Sequence, residues 1–175
     1  MKGGSNILIT GSPGVGKTTV IQRVLREFKI EAGGFYTQEL RIEGRRVGFE
    51  LCTLEGKKGV LAHTDMRSTF RVGKYGVDPA ELERLGVEAV SRAIEAGILV
   101  VIDEIGKMEL HSRNFREKVI EALDSSSPVL ATIGPQPLPF LQKIKSRHDV
   151  ALIEVTRENR NLLVNEIGRL IRGCA

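Results

Sequence analysis

The stretch NILITGSPGVGKTTVIQRVLREFK, Asn6 to Lys29, decides the fold. Its first five residues, Asn6 to Thr10, form a short apolar run, the signature of a strand buried on both faces at the centre of a parallel sheet. Gly11-Ser12-Pro13-Gly14-Val15-Gly16-Lys17-Thr18 then satisfies G-x-x-x-x-G-K-[ST] at every position, and Thr19 extends it. Glycines in such a loop let the backbone take left-handed angles, so that successive N–H groups converge on a phosphate. Lys17 has the reach for the β and γ phosphates, and Thr18 can offer its hydroxyl to Mg²⁺. Beyond the loop, Val20, Ile21, Val24, Leu25 and Phe28 recur at helical spacing. They predict an amphipathic helix from Lys17 to about Lys29, whose N-terminal partial positive charge adds to the anion site. A chance glycine turn would lack both the strand before it and the periodic helix after it.

Outward from this unit the pattern repeats. Ile98 to Asp103 (ILVVID), Pro128 to Ile133 (PVLATI) and Val150 to Val155 read as further apolar strands. Helices are expected from Pro79, capped by Asp78 and stopped by Gly97, over about Arg113 to Leu123, in a segment ending near Arg147, and over about Glu158 to Arg172. Strands alternating with helices imply an α/β doubly wound, mostly parallel sheet flanked by helices. One region breaks the alternation. Phe35 to Ile42 and Val47 to Leu54, around Glu43-Gly44-Arg45-Arg46, read as an antiparallel β-hairpin, joined by a short strand near Val60 to His63. The expectation is a single domain over residues 1–175, with this insert at about 34–63 as an appendage.

Composition excludes several classes. At 41% hydrophobic and 27% charged over 175 residues, the chain is globular rather than disordered, and a chain this long buries roughly 70% of its unfolded surface. No apolar run approaches a membrane span, and MKGGSNILITG is not expected to be a signal peptide, so a cytoplasmic protein is anticipated. Cys52 and Cys174 match no disulfide framework or metal spacing and are expected to be free thiols. The net charge of +4 comes from scattered Lys and Arg, not from a basic tail, and aromatic residues for base stacking are few. Nucleic acid is therefore not the expected partner, though the sequence does not exclude it. A mild basic excess suits a protein that holds a triphosphate.

The apolar strand at Ile98 ends in Asp103 and Glu104. In open α/β sheets ligands lie beyond the carboxyl ends of the strands, so these acids share a rim with the phosphate loop. Asp103 can hold Mg²⁺ through water, and Glu104 is placed to orient and deprotonate an attacking water. The competing reading of Glu104 is a turn cap. Asp103-Glu-Ile-Gly106 also fits the D-x-x-G element of GTPases, but the chain has no N-K-x-D motif.

GSPGVGKTT, GFYTQELR, RVGFEL, VGKYGVD, VVIDEIGKMEL and VTRENR together resemble the cancer-related nucleoside-triphosphatase family. These are small P-loop NTP phosphatases of archaea, thermophilic bacteria and animals. The resemblance runs from Asn6 to about Leu170, and IDEIGKMEL is its most diagnostic part. It implies hydrolysis of ATP, GTP, CTP and UTP to the diphosphate, with Mg²⁺ as cofactor and little preference among bases; dNTPs stay open, and a monomer is expected. It also implies a RecA-like P-loop core in which the strand carrying Asp103 neighbours the phosphate-loop strand. The family's phosphate-binding segment maps to Gly11 through Thr18. Its second nucleotide-binding segment maps to Val100, Val101, Ile102, Asp103, Glu104, Ile105, Gly106 and Lys107.

Secondary candidates follow. Lys107, singled out by the resemblance, would neutralise charge on the γ-phosphate as an arginine finger does, against the equal alternative of a solvent-facing lysine. Thr132 can sense the γ-phosphate or simply be a buried strand residue. Asn159 and Arg160 are placed to touch the base, with Arg160 stacking on it; the alternative is helix capping by Thr156. Arg71 and Lys74 can lid the triphosphate or sit in a solvated loop. His63, His111 and His148 fit no ligand spacing. Two other functions compete with hydrolysis alone: a small P-loop kinase acting on a nucleoside or nucleotide, and an ATP-gated module that docks RNA or protein through the hairpin's Arg41, Arg45 and Arg46.

Overall fold

The structure, a computed structural model, describes residues 6–173; Cys174 and the leader before Asn6 lie outside the described residues. In chain order the strands are β1 (Asn6–Thr10), β2 (Ala32–Ile42), β3 (Arg45–Thr53), β4 (Lys58–His63), β5 (Arg71–Val72), β6 (Tyr75–Val77), β7 (Leu99–Ile105), β8 (Val129–Ile133) and β9 (Val150–Glu154). The helices are α1 (Lys17–Phe28), α2 (Pro79–Glu81), α3 (Glu88–Ala96), α4 (Arg113–Asp124), α5 (Pro139–Lys145) and α6 (Arg160–Arg172). All nine strands form one sheet in the order β5-β6-β4-β3-β2-β7-β8-β1-β9.

Alternation along β1 explains the layers. Ile7 and Ile9 face α1 and α6, packing with Val20, Val24, Val164 and Ile167. Leu8 points the other way into a core shared by Val90, Phe115, Val119 and Leu141 of α3, α4 and α5. Pairing of β1 with β8 and β9, and of β7 with β8 and β2, is parallel. Strand β8 lies between β1 and β7, so the strand carrying Asp103 does not neighbour the phosphate-loop strand, contrary to expectation. Burial gives the reason: all five residues of β8 are buried, which requires cover on both faces and a partner on both edges, whereas most of β9 is exposed and takes the edge.

The hairpin is less of an appendage than its sequence suggests. The first half of β2, Ala32 to Tyr36, pairs in parallel with Leu99 to Asp103 of β7, and only its second half belongs purely to the antiparallel β2–β3–β4 layer. Its turn is just Glu43 and Gly44, both with positive φ (48° and 76°), the two-residue geometry whose twist matches a hairpin. Arg45 and Arg46 therefore lie in the ladder, not in the turn. Arg41 and Arg46 both pair with Glu39, at 2.5 and 2.8 Å, which spends much of the charge of the suggested docking surface.

Asp78 caps α2 as expected, accepting from the Glu81 N–H at 3.1 Å, and Gly97 ends α3 in the left-handed region. The helix between them is interrupted by a π-helical turn, Leu82–Val87. There Gly86 lies against Phe35, and a Cβ would come within 3.1 Å of that ring. Phe35 is fully buried and meets Phe115 edge-on at 6.1 Å, joining β2 to α4. Phe35→Ala should cost about 3–5 kcal/mol, lowering the thermal midpoint by roughly 10 °C in a chain of this size. Calorimetry or circular dichroism melting checks this.

Candidate active site

The phosphate loop joins β1 to α1. Its glycines Gly14 and Gly16 take φ of 74° and 109°. Gly11 has φ of 147°, and a Cβ there would lie 2.6 Å from the Val155 carbonyl oxygen. Val15 is buried and anchors the loop in the core beneath α1, while Ser12, Pro13 and Gly14 remain exposed at its mouth. Lys17 lies across the loop, donating from Nζ to the carbonyls of Gly11 (2.9 Å) and Ser12 (3.3 Å).

Asp103 is the centre of the arrangement. It is 3% exposed, two residues before the end of β7. Thr18 donates to its Oδ2 at 2.6 Å and Thr132 to its Oδ1 at 2.5 Å. Burial raises its pKa; the two hydroxyl hydrogen bonds and the Lys17 charge oppose that shift. Sequence spacing places Asp103 and Thr18 on one rim, and the structure brings them into contact. Thr132 belongs to the buried strand β8 and serves Asp103.

Glu104, joined to Asp103 by a cis peptide bond, is half-buried. Burial pushes its carboxyl upward, opposed by Lys17 and reinforced by the Asp103 charge. Two glycines flank it. A Cβ on Gly106 would lie 2.5 Å from Glu104 Oε1 and 3.1 Å from Glu109 Oε2, and one on Gly134 would lie 3.5 Å from Glu104 Oε1 and 2.3 Å from Gln136 Oε1. Glu109 and Gln136 are thus neighbours of Glu104 that the sequence reading did not single out. Glu109, in the 3₁₀ turn Glu109–His111, is 5% exposed, and burial followed by repulsion from Glu104 raises its pKa to about 8. Its only sequence signal is its place in IDEIGKMEL.

Other predicted residues lie elsewhere. Val100, Val101, Ile102 and Ile105 are core side chains, and Gly106 is buried; they fix the strand end and offer no side chain to a ligand. Alternation in a strand packed on both faces makes that unavoidable. Lys107 is exposed in a cleft with Arg71, His111 and Leu138, on the side of β5 and β6, and has no ion pair among the described residues. Asn159 is committed to a turn. Its Oδ1 accepts from the Thr156 N–H at 2.8 Å, its Nδ2 donates to the Glu154 carbonyl at 2.9 Å, and its own N–H donates to Thr156 Oγ1 at 3.3 Å. That reciprocal capping holds the side chain against Thr156 and Glu154 and leaves one Nδ2 hydrogen and one Oδ1 lone pair uncommitted. Arg160 instead lies against the phosphate loop, donating from Nη1 to the Val15 carbonyl at 3.2 Å, and with Gly16, Thr19 and Arg23 lines a cleft beside it.

Any Mg²⁺ would meet hard oxygen donors here, the Thr18 hydroxyl and the Asp103 carboxylate. Among the described residues no cluster of three His, Cys, Asp or Glu forms a protein-only cage. This donor set fits Mg²⁺, which keeps waters and substrate phosphates and takes few protein ligands. No helix among the described residues is long and apolar enough to cross a membrane.

The loop, the strand-end acid and the sheet order define a P-loop NTPase fold. A family model described as NTPase matches residues 6–168, and the chain belongs to that family. It is 53% identical over 161 residues to the nucleoside-triphosphatase THEP1 of Thermotoga sp. (strain RQ2), covering 92% of each chain. It is 40% identical over 178 residues to the cancer-related nucleoside-triphosphatase homolog of Bos taurus, covering 93% of this chain and 94% of that one. The crystal structure of THEP1 from the hyperthermophile Aquifex aeolicus superposes with a TM-score of 0.87 at 37% identity, covering 95% of this chain and 98% of that one.

Glu109 gives the fold a pH dependence. Its folded pKa lies above the ordinary 4.5, so the native state binds the extra proton. The stability this contributes is complete below about 4.5 and is lost as pH rises through about 8. Glu109→Gln, fixed in the neutral shape, should gain in thermal midpoint over the natural protein between pH 5 and pH 8. Melting curves of both proteins across that range test the sign.

Proposed function

We propose that this chain hydrolyses nucleoside triphosphates to the diphosphate and phosphate, with Mg²⁺ and little discrimination among bases. The single observation that carries the reading is the 2.6 Å hydrogen bond from Thr18 to Asp103, which joins the phosphate loop to the carboxylate strand with Glu104 one residue beyond. Family membership supports the activity, since relatives across bacteria and animals carry the name nucleoside-triphosphatase.

The residues divide the work as follows. Backbone N–H groups of Gly14 to Thr18 and the α1 terminus hold the β-phosphate. Lys17 exchanges its two carbonyl partners for β and γ oxygens. Thr18 and Asp103 would hold Mg²⁺, whose charge offsets that of the phosphates. Glu104 takes a proton from a water in line with the γ-phosphorus. The water oxygen bonds to phosphorus, the bond from γ-phosphorus to the bridging oxygen breaks, and its electron pair stays on the diphosphate. Lys107, with its charge unspent on any carboxylate among the described residues, would have to swing from its cleft beside β5 and β6 to neutralise the transferring phosphoryl group. Arg160, which lies against the phosphate loop, would stack on a base without reading its edge, so ATP, GTP, CTP and UTP would be accepted alike. A cytoplasmic monomer fits this chemistry.

Glu104→Gln should lower single-turnover hydrolysis by about 10²–10⁴ with nucleotide affinity nearly unchanged, and a rate within a few-fold of the natural protein would remove Glu104 as the base. Rates of phosphate release should vary little across the four NTPs. A base pocket built on hydrogen bonds would instead separate them by about 10⁴.

A further inference from the structure

Gln136 lies in the loop between β8 and α5, at the carboxyl rim of the sheet. That loop is fixed where it leaves β8: the Gly134 N–H donates to the Ile105 carbonyl at 3.0 Å, and Lys145 Nζ donates to the Gly134 carbonyl at 2.7 Å. The Gln136 side chain folds back over Gly134, and its Oε1 is buried with no hydrogen-bond partner among the described residues. Its neighbour there is the carboxylate of Glu104. Both oxygens surround the point a Cβ on Gly134 would occupy, Gln136 Oε1 at 2.3 Å and Glu104 Oε1 at 3.5 Å. Neither is a donor. Among the described residues no side chain donates to either.

Two acceptors that lie beside one point in this way suit a ligand with two donors, because a buried carbonyl oxygen left unpaired is costly. The molecule of that description in the proposed reaction is the attacking water. We infer that Gln136 is a further catalytic residue, whose amide oxygen accepts one O–H of the attacking water while Glu104 accepts the other. This inference rests on the hydrolytic reading of the site. With both hydrogens committed, the water turns its lone-pair side away from the two acceptors, toward the γ-phosphorus. The proton on the Glu104 side moves to that carboxylate as the new O–P bond forms. The proton on the Gln136 side stays with the oxygen and leaves in the phosphate. Gly134 is part of the same device, since a Cβ there would lie 2.3 Å from Gln136 Oε1 and push that side chain aside.

The test is Gln136→Met, which keeps length and removes the acceptor. Single-turnover hydrolysis of ATP should fall about 10- to 100-fold, the scale of a misplaced reactant, with KM for ATP and Kd for ADP unchanged. Its thermal midpoint should hold or rise, because a buried unpaired oxygen has been replaced by an apolar group. Gly134→Ala, measured beside it, should lose hydrolysis in the same way while still binding ADP. Hydrolysis by Gln136→Met within threefold of the natural protein overturns the assignment. So does a rate loss accompanied by a clear fall in thermal midpoint, which would make the residue structural. Glu104→Gln run in parallel separates the two claims: an inactive Glu104→Gln beside an active Gln136→Met removes Gln136 alone, whereas an active Glu104→Gln removes the base assignment and Gln136 with it.

Discussion

Asp103 is a carboxylate held almost entirely out of water, and two threonine hydroxyls make that tolerable. Thr18 reaches it from the first turn of α1 and Thr132 from β8. Burial without such donors would be strongly unfavourable, so the pair constrains the fold around it. Thr132 can reach Asp103 only if β8 lies directly beside β7. Thr18 can reach it only if α1 starts at the end of β1, two strands away, and leans across the rim. The order β2-β7-β8-β1-β9 satisfies both requirements. The same contact that completes the hydrogen bonding of a buried acid also brings the phosphate loop to the carboxylate strand.

Around that contact the site accumulates groups that the fold alone would not favour. Glu104 and Glu109 are drawn upward by burial, and Glu109 by repulsion from Glu104 as well. Gln136 leaves a buried oxygen unpaired among the described residues. Natural proteins break local rules chiefly where function requires it, and these breaches sit together within reach of one carboxylate. The opposite face of the sheet, with Phe35, Phe115 and Val90 fully packed, supplies compensating stability without touching the rim.

Much of this was legible in the chain. The phosphate loop, α1, the buried strands of Ile98 to Asp103 and Pro128 to Ile133, and the hairpin follow from period and turn chemistry, because each is decided by residues close in sequence, although β7 runs two residues past Asp103 to Ile105. Strand order is not, since it depends on which strands are buried on both faces, and VLATI and VALIE both read as apolar runs until the structure separates the fully buried one from the exposed one. The parallel half of β2 was hidden for a related reason, as a strand that changes partner midway shows only its own alternation. Asn159 reads equally as a base contact or part of a cap, because a polar residue after a strand end serves both, and the structure adds the reciprocal bonds with Thr156. Gln136 gave no signal, since nothing in a Pro-punctuated loop says that its side chain turns inward.

In the proposed reaction Asp103, bridged to Thr18, would hold Mg²⁺ on a bound nucleotide. The most direct measurement is the nucleotide-induced rise in thermal midpoint, read with Mg²⁺ and with chelator, for the natural protein and for Asp103→Asn. A ligand at about 100 times its Kd stabilises by about 2.7 kcal/mol, a shift of roughly 5–10 °C here. The account predicts that Mg²⁺ enlarges the shift given by ATP in the natural protein and adds nothing in Asp103→Asn. An Asp103→Asn protein that keeps the full Mg²⁺-dependent increment would contradict it.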